Sequence, residues 1–348
     1  MKTILATGGL GFIGSHTCVS LILRHFNIVI IDSLINSNEN NLLSIKKICK
    51  LTDNSHKGKI YFFKGDIRDK KFLQNTFEKA LIEGNPIEAV IHFAGLKSVN
   101  ESIEKPLLYW ETNVVGTINL LEAMQFYNCK KIVFSSSATI YKPIVNGLIT
   151  ENSELGPINP YGATKLTIEN LLGDLMKYKS NDWRIINLRY FNPVGAHISG
   201  LLGDNPKGQP NNLFPILQKV VSGEYEKLFI FGKDWPTHDG TCIRDYIHVM
   251  DLAEAHISAL NFILNSSPIF INLNIGTGKG KSVLEVVETF KKVNNCKLKY
   301  SFDSRREGDA PYVVADNRLA LSTLDWKPTR NLNDMCRDAW KWMLNNRS

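Results

Sequence analysis

The sequence predicts an α/β fold: a Rossmann-type, doubly wound parallel sheet with a smaller mixed α/β C-terminal region. Three observations predict it. Apolar strand-like runs alternate with helical patterns through the first half of the chain. A glycine cluster stands between the first strand and the first helix. Near residue 192 the pattern changes, and loops rich in Gly, Pro and Asn appear.

Composition sets the bounds. The 348 residues suffice for a sizeable core, in one large domain or two smaller ones. Hydrophobic content of 43% and charged content of 22% are ordinary for a soluble enzyme. The net charge of +7 is spread along the chain, which reads as a solvated surface with no nucleic-acid partner. Cys18, Cys49, Cys129, Cys242, Cys296 and Cys336 lie far apart, as reduced thiols of a cytoplasmic protein would. No apolar run reaches the ~18 residues of a membrane span. Residues 1–6 run straight into the glycines and leave no room for a signal peptide.

In order along the chain, Lys2 to Thr7 reads as a buried strand, and Ser15 to Phe26 as an amphipathic helix. Between them Gly8, Gly11 and Gly14 recur at intervals of three. Such glycines permit a tight turn, close approach of backbone to a pyrophosphate, and close helix–strand packing. The following helix N-terminus then faces the phosphates. A second strand, Asn27 to Ile31, ends in Asp32, an acid placed to accept hydrogen bonds from both ribose hydroxyls and to repel a 2′-phosphate. The cofactor expected is therefore NAD rather than NADP.

Further strands are expected over Lys59 to Lys64, Ile87 to Phe93, Lys131 to Phe134 and Trp183 to Leu188. Helices are expected over Asp69 to Glu83, Pro106 to Tyr127 and Tyr161 to Tyr178. This alternation implies parallel strands with right-handed crossovers, and ligands at the strand carboxyl ends. Those ends carry Gly8, Asp32, Asp66, Gly95, Ser137 and Tyr190. Past residue 192, short strands are expected at Leu228 to Phe231 and Ile243 to Val249, with helices at Asp251 to Leu264, Val283 to Lys292 and Leu332 to Leu344.

Asn159-Pro160-Tyr161-Gly162-Ala163-Thr164-Lys165 carries the chemistry. Asn159 can cap a helix and Pro160 suits its first position. Tyr161 and Lys165 then share one face, and an ammonium beside a phenol favours the phenolate, a base for an alcohol. Tyr127 and Lys131 repeat the spacing, but at the wrong end of the following strand for a ligand site, so this pair reads as structural.

Long runs along the whole chain resemble the UDP-glucose 4-epimerases of the extended short-chain dehydrogenase/reductase superfamily. They include Thr7-Gly8-Gly9 through Thr17, His92 to Lys97, Ser135 to Thr139, Tyr161-x-x-x-Lys165 and Leu188 to Ala196. Pro210-Asn211-Asn212-Leu213, Arg244 to Val249 and Arg305-Arg306-Glu307-Gly308-Asp309 continue the likeness. The resemblance implies a homodimer that keeps NAD bound and interconverts UDP-galactose and UDP-glucose through a 4-keto sugar. Tyr161 would be the base, Lys165 would hold the nicotinamide ribose and lower the Tyr161 pKa, and Ser137 would relay the proton. Gly8, Gly11, Phe12, Ile13, Gly14, Asn36 and Ser37 would cradle the cofactor, with Asp32 at its ribose and Asp66 and Ile67 at its adenine. Phe93, Ala94, Gly95, Lys97, Thr112, Tyr161, Lys165 and Phe191 would line the rest.

By the same likeness the UDP-sugar would meet Ser137, Tyr161, Asn192, Asn212, Leu213, Phe229 and Phe231. Arg244, Tyr246, Arg306, Asp309 and Val313 would complete its pocket. Two arginines suit a diphosphate, and the two phenylalanines could flank a uracil; the plainer alternative makes Phe231 core. The implied division is residues 1–191 for NAD and catalysis and 192–348 mainly for the UDP-sugar, with some segments returning to the first domain. The helices 106–127 and 161–178 would pair across a two-fold axis.

Three positions depart from the family pattern. Lys142 replaces a Gly, Thr112 replaces an Asn, and Val313 stands where some members carry Tyr. A small residue there goes with room for an N-acetyl group, so UDP-GlcNAc and UDP-GalNAc are expected as further substrates. Gly276-Thr277-Gly278-Lys279-Gly280-Lys281-Ser282 falls one residue short of a P-loop. The histidines have no metal-ligand spacing, and no metal is expected; His248 and His256 read as packing or surface residues. A 4,6-dehydratase would need an acid–base pair where Ala138 and Thr139 stand. The remaining alternatives are an epimerase of UDP-pentoses or UDP-glucuronate, and a non-catalytic dinucleotide sensor.

Overall fold

A computed structural model describes residues 1–52, 58–177, 182–208, 210, 212–306 and 308–346. Three expected positions lie outside the described residues: Tyr178 at the end of a helix, and Asn211 and Glu307 within family motifs. The chain opens with β1 (Thr3–Thr7), α1 (Phe12–Leu23), β2 (Asn27–Asp32), α2 (Asn40–Thr52), β3 (Ile60–Lys64), α3 (Lys70–Ile82) and β4 (Ile87–His92). There follow α4 (Val99–Glu104), α5 (Pro106–Tyr109), a π-helical turn (Trp110–Val115), α6 (Gly116–Phe126) and β5 (Lys131–Ser137). A 3-10 turn (Ala138–Ile140), α7 (Pro160–Leu175) and β6 (Arg184–Tyr190) complete the first half.

The second half holds β7 (Asn192–Val194), α8 (Leu213–Val221), β8 (Leu228–Phe231), β9 (Ile243–His248), α9 (Val249–Asn265) and β10 (Ile269–Ile275). It ends with β11 (Gly280–Ser282), α10 (Val283–Asn294), β12 (Tyr300–Asp303), β13 (Tyr312–Val313), α11 (Arg318–Leu324) and α12 (Leu332–Asn345).

Among the described residues, seven parallel strands make the main sheet, in the order β10-β6-β5-β4-β1-β2-β3. The winding reverses between β1 and β4, which opens a crevice at their carboxyl ends. One apolar layer packs α1, α2, α9 and α11 on one face, and another packs α3, α6 and α7 on the other. A third core joins α8, α10 and α12 beside β8 and β9. There β9 pairs with β7, β11 and β13, while β8 pairs with β12.

Several expected boundaries shift for identifiable reasons. α1 begins at Phe12, not Ser15, because Gly11 is already extended (φ −68°, ψ 176°) and takes the N-cap position. It stops at Leu23, and His25 turns left-handed at φ 62°. The stretch from Pro106 to Phe126 is helical, but a π turn widens it around Asn113. α7 starts as expected: Asn159 Oδ1 accepts from Gly162 N at 2.8 Å, and Pro160 fills the first turn.

Candidate active site

The glycine loop is shaped by contacts no side chain would tolerate. Gly8 takes φ 68°, and a Cβ on it would stand 2.7 Å from Ala94 N, so β1 and β4 close on each other here. A Cβ on Gly14 would press on Gly8 O and stand 2.8 Å from Gly9 Cα, where α1 lies against the loop. No side chain caps α1 and no acid occupies its first turn, so its positive end is open to an anion. Asp32, at the tip of β2, accepts from Leu10 N at 2.9 Å, Leu34 N at 2.9 Å and Ser37 Oγ at 2.7 Å. A carboxylate offers about four acceptor positions, which leaves capacity for a hydroxyl. Glycine cradle, open helix end and terminal acid together fit a dinucleotide.

These features line a cleft of about 200 Å³. Of the residues expected around the cofactor, the structure brings together Gly8, Gly11, Phe12, Ile13, Gly14, Asp32, Asn36, Ser37, Asp66 and Ile67. Phe93, Ala94, Gly95, Lys97, Thr112, Tyr161 and Lys165 line the same cleft. Phe191 does not line it: it is buried in a small core with Ile140, Tyr141, Ile149 and Ala315. The sequence reading missed the segment Gly203–Pro206, which crosses the cleft. Its neighbour Lys207 donates through N to Asn36 Oδ1 and through Nζ to Leu34 O. Asp204 lies 3.8 Å from Lys97. No local pattern signals this segment, because every one of those contacts spans a long stretch of chain.

At the other end of the cleft, Lys165 is 5% exposed and donates to Ser135 O at 2.7 Å. Its Nζ lies 4.8 Å over the Phe134 ring and 6.0 Å from the Tyr161 ring centre. Burial pulls the lysine down to about 8, against a smaller upward pull from Glu169. Burial also raises Tyr161, and a hydrogen bond with Ser137 works the other way. This corrects the expected depression of Tyr161 by Lys165: the ammonium is directed at a backbone carbonyl, and desolvation outweighs the rest. Ser137 Oγ accepts from Thr139 N at 3.2 Å and Thr139 Oγ1 at 3.0 Å, capping the 3-10 turn. Asn113, presented by the π turn, bonds Leu96 on both backbone groups and donates to Thr164 Oγ1 at 3.1 Å. It pins the loop after β4 to α7.

Of the residues expected around a UDP-sugar, Tyr161 lines the dinucleotide cleft; Ser137 ends β5 beside the cleft-lining Ser136, and the others lie on the second half of the chain, outside the cleft. Asn192 and Tyr246 are ladder partners; Tyr246 is buried, its ring 6.4 Å from that of Phe214. Asn212 and Leu213 open α8. Phe229 is exposed and Phe231 half-buried, while Leu228 and Ile230 face the core, so Phe231 is not a core residue. The Arg306 guanidinium stacks 3.8 Å from the Phe231 ring centre. Arg244 pairs with Asp309 at 3.1 Å and donates to Ala310 O at 2.7 Å. Val313 sits opposite Arg244 in the ladder and packs beside Phe191 and Tyr141. Tyr312 points elsewhere, its hydroxyl 3.6 Å from where a Cβ on Gly280 would stand.

The decoy motifs resolve simply. The loop at Gly276 to Lys279 wraps the chain's own Asp245, which accepts from Thr277 N, Thr277 Oγ1, Gly278 N and Ala315 N at 2.6–3.2 Å. Tyr127 stacks on Phe77, and Lys131 begins β5 at the end remote from Ser137. His248 and His256 are both fully buried. Lys142 makes a surface pair with Glu154.

Comparison with known proteins agrees with this geometry. A family profile described as GDP-mannose 4,6 dehydratase matches residues 5–339. The UDP-glucose 4-epimerase of Bacillus subtilis is 47% identical over 344 residues, covering 99% of this chain and 97% of that one. A UDP-glucose-4-epimerase from Stenotrophomonas maltophila, solved with NAD and formylated UDP-arabinopyranose, superposes with a TM-score of 0.92. It is 43% identical, and the match covers 99% of this chain and 98% of that one. The UDP-glucose 4-epimerase from Bifidobacterium longum, solved with NAD+ and UDP, gives 0.90 at 39% identity and 99% coverage of both. With matches of this identity running the length of both chains, the protein belongs to the UDP-glucose 4-epimerase family.

Proposed function

We propose that this chain interconverts UDP-galactose and UDP-glucose with NAD as a resident cofactor. The observation that carries this is one cleft lined both by the glycine loop with Asp32 and by Tyr161 and Lys165. When bound, NAD supplies a reversible hydride acceptor at carbon 4 of the sugar, so that a 4-keto sugar forms and can be reduced on either face. Tyr161 takes and returns the proton of the 4-hydroxyl at its phenol oxygen, and Ser137, already bonded to it, orders that proton. Lys165 holds the nicotinamide ribose by hydrogen bonding. Residues 1–191 serve the cofactor and the chemistry. Residues 192–348 mainly hold the UDP moiety, through Asn192, Asn212, Leu213, Tyr246, Arg244 with Asp309, and Arg306 over Phe231 beside Phe229. Phe191 packs in the small core beside Val313.

Val313 presents a small side chain near Phe191, which supports turnover of UDP-GlcNAc and UDP-GalNAc as well. Val313→Tyr should lose the N-acetylated sugars first; equal turnover of them by both proteins would sink that part. Leu107, Trp110, Val115, Ile118 and Phe126 expose apolar surface along the helical stretch 106–126, which supports a homodimer paired there. Among the described residues no helix is long and apolar enough to cross a membrane. Six unbonded cysteines support a cytoplasmic location. Ala138 and Thr139 after Ser137 speak against a dehydratase.

The test is incubation of purified protein with UDP-galactose and no added NAD, followed by separation of products. UDP-glucose, lost in Tyr161→Phe, would establish the reading. No product even with added NAD would direct attention to UDP-pentoses and UDP-glucuronate. If those fail, a non-catalytic dinucleotide sensor becomes the better reading.

A further inference from the structure

Behind Tyr161 and Lys165 lies a buried polar network to which the proposed reaction gives no task. Glu169 follows Lys165 by one turn of α7, so positions 161, 165 and 169 share a face. Its carboxylate is 3% exposed and fully engaged. Oε1 accepts from Ser136 Oγ at 2.5 Å and Arg189 Nε at 3.0 Å, and Oε2 from Arg189 Nη2 at 2.7 Å. Arg189, 2% exposed, donates through Nη1 to the Tyr141 hydroxyl at 2.7 Å and Glu151 O at 3.0 Å. Tyr141 donates onward to Asn274 Oδ1 at 2.7 Å.

The network therefore ties α7 to β5, β6, β10 and the start of the loop after the 3-10 turn. Two of its anchors adjoin the cleft: Ser136 itself lines it, and Arg189 precedes Tyr190, which lines it. Replacing a buried ion pair by apolar side chains is often neutral or stabilising, so stability alone does not account for this one. Lys165 is faced by Tyr161 and Glu169 on α7, His92 on β4, the Ser135 carbonyl on β5 and Asn113 from the π turn. His92 stays neutral, lowered by burial to about 3. Glu169 is thus the carboxylate of this set.

Resting on the epimerase reading, we infer that Glu169 is a positioning residue. Its bonds to Ser136 and Arg189 lock the helix bearing Tyr161 and Lys165 to the strand bearing Ser137, and it places a carboxylate one turn from Lys165 on the same face of that helix. The test compares kcat, KM and their pH profiles for wild type, Glu169→Gln, Glu169→Asp and Ser136→Ala. Glu169→Gln should lower kcat about 10- to 100-fold with KM little changed, as a displaced catalytic group does. The alkaline limb of its profile should move to lower pH. Glu169→Asp should restore the limb, because the charge returns, while kcat stays low, because the reach does not. Ser136→Ala should lower kcat less and leave the limb in place.

Glu169→Gln strands the Arg189 charge, so the double variant Glu169→Gln/Arg189→Met separates folding from function. It should regain the wild-type melting temperature without regaining kcat. Variants that melt lower yet keep wild-type kcat and pH limb would overturn the inference. A second arm is independent of turnover: the Lys165 titration followed by NMR of 13Cε-labelled lysine, assigned with Lys165→Met. Glu169→Gln must lower its midpoint; an unmoved midpoint overturns the inference whatever sugar the enzyme accepts. Failure of wild type on UDP-galactose with a moved midpoint would instead count against the choice of substrate.

Discussion

Alanine at each of the three loop glycines should separate folding from cofactor retention. At Gly8 the left-handed backbone (φ 68°) costs an L-residue about 1–2 kcal/mol. Its Cβ would also press on Ala94 N at 2.7 Å, an overpacking worth about 1–3 kcal/mol. At Gly14 the Cβ meets Gly8 O, closer still than Gly9 Cα at 2.8 Å, backbone atoms that cannot rotate away, with an overpacking cost of about 1–3 kcal/mol. There alanine recovers about 1 kcal/mol of helix propensity, so the net loss is about 0–2 kcal/mol. At Gly11 the backbone is ordinary and the one close atom is Gly8 O at 3.2 Å, so stability should change by about 0.5 kcal/mol or less. At about 2–4 °C per kcal/mol, Gly8→Ala should melt about 4–20 °C lower, Gly14→Ala up to about 8 °C lower, and Gly11→Ala within about 2 °C. Yet Gly11 caps the helix end where a pyrophosphate would approach, and a Cβ there holds the phosphates off. The assay is thermal unfolding with and without NAD, together with the dinucleotide released on denaturation. Gly11→Ala should lose most bound NAD while melting like the wild type without it. Full retention of NAD by Gly11→Ala, or a melting order with Gly11→Ala lowest, would refute this account of the loop.

Four further outcomes are expected. Burial lowers His16 and His92 to about 3 and His197 and His256 to about 4, so below pH ~6.5 the unfolded chain binds protons that the folded chain refuses. Stability should fall by about 1.4 kcal/mol per pH unit per histidine between pH ~6 and ~4; a urea midpoint constant from pH 7.5 to 5 would contradict this. Lys165 is lowered by burial from its usual value to about 8, so its charge opposes folding at neutral pH and the penalty fades as pH rises through 8 towards 10.5. Lys165→Met should therefore abolish turnover while melting no lower than wild type at pH 7, and a lower melting temperature would show that the bond to Ser135 O outweighs desolvation. Asp245→Ala removes the acceptor from three backbone amides and should cost about 3 kcal/mol or more, read by urea unfolding. Lys279→Ala should change neither stability nor activity, which an ATPase-type role would not allow.

The first half of the fold was legible because each strand there is a continuous apolar run, the mark of a sheet covered on both faces. β10 escaped notice for a physical reason: it is the edge strand, with intermediate burial over its first four residues and asparagines interrupting its apolar residues. Its register with β6 is marked by Asn187 Nδ2 donating to Asn272 Oδ1 at 2.8 Å, a pairing visible only once the strands are neighbours. The π turn at Trp110–Val115 was likewise unreadable, since an extra residue in a helical turn leaves the apolar spacing nearly intact. Among site residues, those set by local geometry were the readable ones: the glycines, Asp32, and the capped start of α7. The segment Gly203–Pro206 and the Glu169–Arg189 pair are set by topology, and their partners lie far away in sequence.

Two pairs of look-alikes show where sequence motifs stop being informative. Tyr127/Lys131 and Tyr161/Lys165 have the same spacing, but the first pair lies at the start of β5 and the second comes after its end. Ligands collect at the carboxyl edge of a parallel sheet, so that one topological fact separates a stacked surface pair from a cleft-lining one. The loops at Gly8 and Gly276 are both rich in glycine and both can present amides to an anion. Around Gly276 the anion is covalently part of the chain, Asp245, buried and bonded by three amides and a hydroxyl. Around Gly8, among the described residues, no side chain caps the end of α1, and Asp32 takes Leu10 N instead. Of two glycine nests, the one its own protein leaves unfilled is the one built for a ligand.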